Sequence, residues 1–283
     1  MNFLQVLILA VVQGFCELLP VSSSAHVIMA EKLMGLDPTA PSMTLLLVAL
    51  HTGTMFAVIV YFWREWKATY FASRPAFIRN AGWIALATVA TGVVGLALLK
   101  LLPLLLGVDP KSFEVEQLFG NPRLIAAALA TAGVLIAISG LLTRARDRHV
   151  DIGAAASLGI GVVQGLCLPF RGFSRSGATI STALLLGVAR EKAEEFSFAL
   201  AVVLTPAVIV KELLRFLKAH ASVASDGASV LQLAWPSLVG MALSFAAGLV
   251  ALRWLSRWLE HGRWHYFGFY CLAAAAMVLV VLG

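Results

Sequence analysis

Long apolar runs separated by short polar loops make up most of the chain, and six of them reach the ~20 residues that a membrane span requires. They cover residues 43–63, 81–106, 124–142, 196–216, 231–255 and 264–282. Two other stretches have a different pattern. Residues 2–34 and 152–189 each hold an apolar half, a break rich in Pro, Gly and Ser, and a second apolar half, and neither half is long enough to cross. This pattern predicts a helix that enters the bilayer, turns inside it and leaves by the same face. Non-helical backbone is tolerated at that depth only where protein or a wet cavity surrounds it. The expected fold is therefore an all-α polytopic membrane protein with six transmembrane helices plus two re-entrant helical hairpins.

The pattern also repeats along the chain. Gln13-Gly14-Phe15-Cys16 recurs as Gln164-Gly165-Leu166-Cys167 at a constant offset. After a one-residue insertion, Ser22-Ser23-Ser24-Ala25 aligns with Ser174-Arg175-Ser176-Gly177, and Ala57-Val58-Ile59-Val60 recurs as Ala207-Val208-Ile209-Val210. One integral membrane domain, 1–283, is expected to contain a first repeat at 1–142 (hairpin 2–34 plus three spans) and a second at 152–283 (hairpin 152–189 plus three spans). An odd number of spans per copy inserts the second copy upside down, which is the inverted-repeat plan of many transporters. The two hairpin tips would then come from opposite leaflets and meet near the middle.

Composition agrees with the pattern. Hydrophobic residues make up 60% of the chain and charged residues 13%, against about 25% charged in soluble domains. The net charge of +6 does not point to nucleic acid, because most of the Lys and Arg sit in short loops beside apolar runs, where membrane orientation accounts for them. Arg64, Lys67, Arg74 and Arg79, then Arg144, Arg146 and Arg148, then Arg253, Arg257 and Arg263 mark loops expected on the cytoplasmic side. Asp109, Lys111, Glu114 and Glu116 suit an outer loop, whereas Lys211, Arg215 and Lys218 are less clean on that side. On this reading both termini face outward and the first hairpin enters from outside. No basic residue precedes the apolar stretch that begins at Phe3 and no small-x-small cleavage site follows it, so the N-terminus is expected to be retained.

Several features have ordinary explanations. Three cysteines without metal-ligand spacing, two of them repeat-equivalent, fit small buried hydrophobes. Tyr61, Phe62, Trp63 and Trp66, and Trp254, Trp258 and Trp264, are expected in interfacial belts, with ligand stacking as the alternative. Lys100 is expected to snorkel, and residues 190–195 to form a solvated face.

The chemistry is concentrated in the two breaks. Gln13 and Glu17 are four residues apart and share a helix face, as do Ser23 and His26, which are three apart. Pro20 ends the first half-helix, and Ser22 or Ser23 is placed to cap the next. The second break holds Gly172-Phe173-Ser174-Arg175-Ser176-Gly177-Ala178-Thr179 at the start of another half-helix. Two helix N-termini facing each other make an anion site, and Arg175 adds a fork suited to phosphate. Ser and Gly on their own also serve close helix packing. Glu17, His26 and Arg175 in broken apolar helices are more costly, and ionisable groups at bilayer depth mark a functional site. A carboxylate beside a phosphate site suggests a divalent cation, Mg2+ or Ca2+, between the Glu17 carboxylate and the phosphate. Burial in the bilayer implies a lipid-linked phosphate.

The stretches Glu17-Leu18-Leu19-Pro20-Val21-Ser22-Ser23-Ser24-Ala25-His26 and Gly172-Phe173-Ser174-Arg175-Ser176-Gly177-Ala178-Thr179-Ile180-Ser181 resemble the two signature motifs of the bacterial undecaprenyl-diphosphate phosphatase, or bacitracin resistance protein, family, and the similarity extends along essentially the whole chain. The resemblance implies hydrolysis of undecaprenyl diphosphate to undecaprenyl phosphate and inorganic phosphate, recycling the carrier for peptidoglycan and other envelope polymers. It also implies a divalent cation, a site facing the outer side, and six spans with two re-entrant hairpins. Position by position, Glu17 matches the family's second acidic residue, Ser23 and His26 its proposed nucleophile or base, and Arg175 its phosphate-binding arginine. Ser174, Ser176 and Thr179 match hydroxyls of the second motif, and Ser22 and Ser24 join Gln13 as candidate substrate contacts. There are two departures. Gln13 occupies the first acidic position, and Arg171 stands where Pro is usual, so it could reach a phosphate or a headgroup. His51 reads equally well as a core histidine or a substrate-side contact.

The residues leave Ser23, His26 and a metal-bound water open as the attacking group, and a homodimer open as the assembly. The competing function is a flippase or transporter of undecaprenyl phosphate, prompted by the inverted repeat and the midplane site. Phosphate release in detergent separates the two.

Overall fold

The computed structural model describes residues 1–37, 40–107, 118, 121–143, 150–219 and 227–282. Ten helices are formed among these residues: α1 (Phe3–Leu18), α2 (Ser23–Leu33), α3 (Pro41–Thr69), α4 (Arg74–Leu106), α5 (Pro122–Thr143), α6 (Ala154–Cys167), α7 (Arg175–Leu185), α8 (Arg190–Ala219), α9 (Gly227–Glu260) and α10 (His265–Leu282). Six of them, α3, α4, α5, α8, α9 and α10, are long and apolar enough to cross a membrane, and the protein is a multi-pass membrane protein. The four others have 16, 11, 14 and 11 residues, short of a span. They form two consecutive packed pairs, α1 with α2 and α6 with α7, at the two broken stretches.

The long helices run past the apolar windows that mark them in the sequence. In α3, Arg64, Glu65 and Lys67 continue the helix to Thr69, because charged straight-chain residues are good helix formers. The apolar window measures bilayer depth and does not mark where the helix ends. Asp109, Lys111, Glu114 and Glu116, the three arginines at 144, 146 and 148, and the side chains of Arg215 and Lys218 lie outside the described residues.

Both halves have the same order, two short helices and then three long ones, and each half packs its first short helix on the other half. α1 lies against α9, and α6 against α4. Gly14 and Gly165, equivalent in the sequence repeat, are points of close approach. A Cβ on Gly14 would lie 2.5 Å from the Ala247 Cβ and 2.8 Å from the Ser244 carbonyl oxygen, and one on Gly165 would lie 2.7 Å from Val94 and 2.9 Å from the Thr91 carbonyl oxygen. Without a hydrophobic drive between helices in lipid, contact of this kind at small residues supplies the packing energy. Buried polar ties reinforce it: Thr91 donates to the Gly161 carbonyl (3.0 Å) and Ser244 to that of Leu50 (3.0 Å).

Two expectations from the sequence need correction. Residues 190–195 are not a solvated face: Glu194 and Glu195 are only 4% and 6% exposed. Glu194 accepts from Ser256 (2.6 Å), Glu195 pairs with Lys192 (2.9 Å), and the Arg190 guanidinium donates to the carbonyls of Thr143 and Glu260, 3.0 Å each, at the C-terminal ends of α5 and α9. A cation is favoured at helix C-termini, and Ser256, the two helix ends and the local Lys192–Glu195 pair take up these charges. Phe62 and Trp66, at 4% and 7% exposure, are likewise covered by protein and form no exposed belt, and the same holds for Trp264. It is buried in the main core with its Nε1 donating to Ser181 (3.0 Å).

Candidate active site

The tips of the two short-helix pairs meet. α1 ends at Leu18, and the chain turns through Leu19-Pro20-Val21-Ser22 into α2. Ser22 has φ +67°, the one non-glycine residue with positive φ among those described, a conformation costing about 1–2 kcal/mol for an L-residue. It stands at the N-cap position of α2 but makes no side-chain cap. On the other side Gly172 (φ +101°) packs so tightly that an added Cβ would sit 2.3 Å from the Ile125 carbonyl oxygen. Ser174 then caps α7 by accepting from the Gly177 N–H (3.2 Å). Outside the Glu17 carboxylate's own contacts, hydrogen bonds join the tips from the Gly172 N–H to Ser24 Oγ (3.4 Å) and from Ser176 Oγ to the Leu19 carbonyl (3.4 Å).

At the centre of this junction is the Glu17 carboxylate. Oε1 accepts from Arg175 Nη2 at 3.0 Å, and Oε2 accepts from Ser23 Oγ at 2.6 Å and from Gln13 Nε2 at 3.3 Å. The sequence places Gln13 and Glu17 on one helix face, but only the fold brings Arg175 to them, across 158 residues. The second guanidinium nitrogen, Nη1, is buried and has no hydrogen-bond partner. Since a buried charged donor without a partner is costly, this nitrogen marks a place where an anionic ligand would be stabilised.

His51, on α3, comes within 3.8 Å of Glu17 Oε2 through Nε2, while its Nδ1 donates to the Leu47 carbonyl (2.8 Å). It is a site-side residue and not a packed core histidine. It lines a cavity of about 650 Å³ with Thr44, Arg171, Thr205, Lys211 and Glu212 among its walls.

His26 is not in contact with Glu17 or Arg175. Its Nδ1 faces the Ser22 carbonyl (2.8 Å) and must carry the proton there, because a carbonyl only accepts. The Nε2 lone pair accepts from the Tyr270 hydroxyl (2.7 Å), with the two rings stacked at 5.6 Å. Tyr270, on α10, is the partner that sequence reasoning missed, since one tyrosine in an apolar span carries no periodic signal. It also lines a second cavity, about 870 Å³, with Phe15, Cys16, Trp254, Trp258 and Tyr266 in its walls. The remaining hydroxyls are tied internally: Ser22 Oγ and Ser24 Oγ are 3.3 Å apart, and Thr179 donates to the Arg175 carbonyl (2.8 Å) and shares a 2.6 Å hydrogen bond with Ser197.

Set against known families, the chain matches the one described as "Bacitracin resistance protein BacA" over residues 6–277. The chain belongs to this family. It is 61% identical to a protein of Acinetobacter baylyi named undecaprenyl-diphosphatase 2, over 99% of this chain and 98% of that one. Two more distant relatives are an undecaprenyl-diphosphatase 1 of Burkholderia pseudomallei, 35% identical over 96% of this chain and 94% of the relative, and an undecaprenyl-diphosphatase of Rhodopirellula baltica, 31% identical over 99% and 98%. The matched region takes in all but the first residues of α1 and the last residues of α10, so the junction around Glu17 lies entirely within it.

Proposed function

We propose that the protein hydrolyses undecaprenyl diphosphate to undecaprenyl phosphate and inorganic phosphate, and that the Glu17–Ser23–Arg175 junction performs the reaction. The observation that carries this reading is the buried, unpartnered Arg175 Nη1 on a guanidinium whose other nitrogen is fixed by Glu17. One arm is held and the other lacks an acceptor, so a phosphate oxygen admitted beside it would satisfy a costly buried donor.

Ser23 is the attacking group in this scheme. Its Oγ lies 2.6 Å from Glu17 Oε2, a nucleophile–base separation within the range of working pairs. As Ser23 Oγ bonds to the terminal phosphorus, its proton passes to Glu17 and the bond to the bridging oxygen breaks, releasing the lipid monophosphate. Glu17 passes that proton to solvent; water then attacks the phosphoserine phosphorus and gives a proton to Glu17, the P–Oγ bond breaks, Glu17 reprotonates Ser23 Oγ, and inorganic phosphate leaves. Arg175 and the N–H groups at the start of α7 offset charge on the transferring group. His26, with its lone pair covered by Tyr270, positions the turn through the Ser22 carbonyl in this resting arrangement.

A divalent cation fits the donor set as a companion of the substrate. Among the described residues no three His, Cys, Asp or Glu side chains cluster to cage a metal, but Mg2+ is commonly held by one or two carboxylates plus substrate phosphates. Glu17 would supply the carboxylate and Gln13 its amide oxygen, after the amide turns over from its present contact through Nε2. Such an ion would supply further charge neutralisation on the diphosphate.

The setting we infer is the bacterial plasma membrane, with the site opening outward, in line with the loop charges. The direct test is phosphate release from a polyprenyl diphosphate by purified protein in detergent, with and without chelator. Turnover that needs Glu17, Ser23 and Arg175 is expected; directional lipid movement in vesicles without phosphate release would favour a transporter instead.

A further inference from the structure

The mechanism above uses the terminal phosphate and leaves open what holds the other one. The cavity that begins at His51 bears on this question. It reaches the catalytic junction through the 3.8 Å contact of His51 with Glu17, and its lining also includes Arg171 and Lys211, with Glu212 as the one acidic group among the described residues there. Arg171 immediately precedes Gly172, whose backbone N–H is tied to Ser24 and whose close approach to Ile125 allows no side chain. The backbone that carries Arg171 is thereby fixed against the tip of the other helix pair, one residue from the junction. The positive charge of Arg171 is also felt by the buried Glu31 on α2. At about 650 Å³ the space is of ordinary ligand-pocket size, and it is lined both by cations and by apolar residues such as Leu47, Leu99 and Leu168. That combination suits a phosphate joined to a hydrocarbon chain.

We propose that Arg171, assisted by Lys211, binds the lipid-linked phosphate of the substrate in this cavity, while Arg175 binds the terminal one. Arg171 is then a specificity-determining residue. It recognises the phosphate common to the diphosphate substrate and the monophosphate product, and it steadies the leaving group. The inference rests on the phosphatase reading but makes a separate claim about which phosphate each arginine holds.

The test uses the full chain in detergent with a short-chain polyprenyl diphosphate, comparing wild type with Arg171→Ala and Arg171→Lys. Three constants are measured: KM for the diphosphate, and inhibition constants for polyprenyl monophosphate and for inorganic phosphate. Arg171→Ala should raise the first two together by about tenfold, the size of one lost charge-assisted contact. The inorganic phosphate constant should stay within about twofold, since that ligand needs only the terminal site. Arg171→Lys should recover part of the loss. If all three constants are unchanged, Arg171 faces only lipid or solvent and the proposal fails. It fails equally if inorganic phosphate weakens in step with the other two, because Arg171 would then belong to the terminal-phosphate site. Should Arg171→Ala not fold, Lys211→Ala must shift the same two constants in the same direction, and no shift overturns the assignment. A wild-type protein that releases no phosphate would sink the phosphatase reading itself; binding of polyprenyl monophosphate, read by thermal shift, would still test Arg171.

Discussion

Replacing Arg175 by lysine keeps the positive charge and removes the fork. In the structure one nitrogen, Nη2, is committed to Glu17 at 3.0 Å, and the other, Nη1, is buried and awaits an acceptor. A lysine ammonium is a single point donor that can satisfy the carboxylate or the phosphate but cannot reach both in the same way. The charge balance around Glu17 therefore survives, while one donor aimed at the transferring phosphoryl group is lost. Losing one such donor costs about 10²–10³ in kcat, or ~3–4 kcal/mol of transition-state stabilisation. Arg175→Ala also strips Glu17 of its cation, and kcat/KM should fall by ~10³ or more. The assay is initial-rate phosphate release in detergent, paired with thermal unfolding of the same samples. Arg175→Lys should unfold within a few degrees of wild type, because the ion pair is retained. If Arg175→Lys turns over at the wild-type rate, the free arm of the guanidinium is not used in the reaction, and the argument that assigns the site fails with it.

Four further outcomes are expected. Trapping with labelled diphosphate should give an acid-stable phosphoserine that disappears in Ser23→Ala; an acid-labile adduct would move the nucleophile to a histidine. Chelation should suppress phosphate release, and added Mg2+ or Ca2+ should restore it, whereas chelator-insensitive turnover would remove the cation from the scheme. Gly14→Val forces a side chain into the Ala247–Ser244 contact at 2.5–2.8 Å and should lower stability by ~1–3 kcal/mol, read as a drop in Tm in detergent; Gly82→Ala, with nothing within 4 Å of its would-be Cβ, serves as the control. Gly172→Ala combines a positive φ with a Cβ 2.3 Å from the Ile125 carbonyl, and should reduce turnover several-fold more than it reduces Tm-derived stability if it displaces the two tips.

Much of this molecule could be read in the chain before folding. The six spans follow from run length alone, because a bilayer demands about 20 apolar residues in a row. The four short helices follow from Pro20, the glycines and the serines that interrupt two of the runs. Gln13 above Glu17 is a matter of helical spacing, and the Gly14–Gly165 equivalence is visible as a repeated tetrapeptide. Even the pairing of an acidic break with an arginine-bearing one could be anticipated, since both are too costly in lipid to be incidental.

Periodicity reports which face of one helix is apolar but carries no information about which distant element will cover it. The covering of the His26 lone pair by Tyr270 depends on α10 passing beside α2, and the hydrogen bond that Glu194 accepts depends on Ser256 being supplied by packing. The division of Arg175 into one fixed and one free nitrogen is likewise a product of tertiary distances. Hydropathy and helical spacing are local properties that the sequence determines by itself, so it decided the elements and their chemistry. Contacts across 158 or 244 residues arise only when whole helices pack, and the tertiary structure alone decided which of those groups meet.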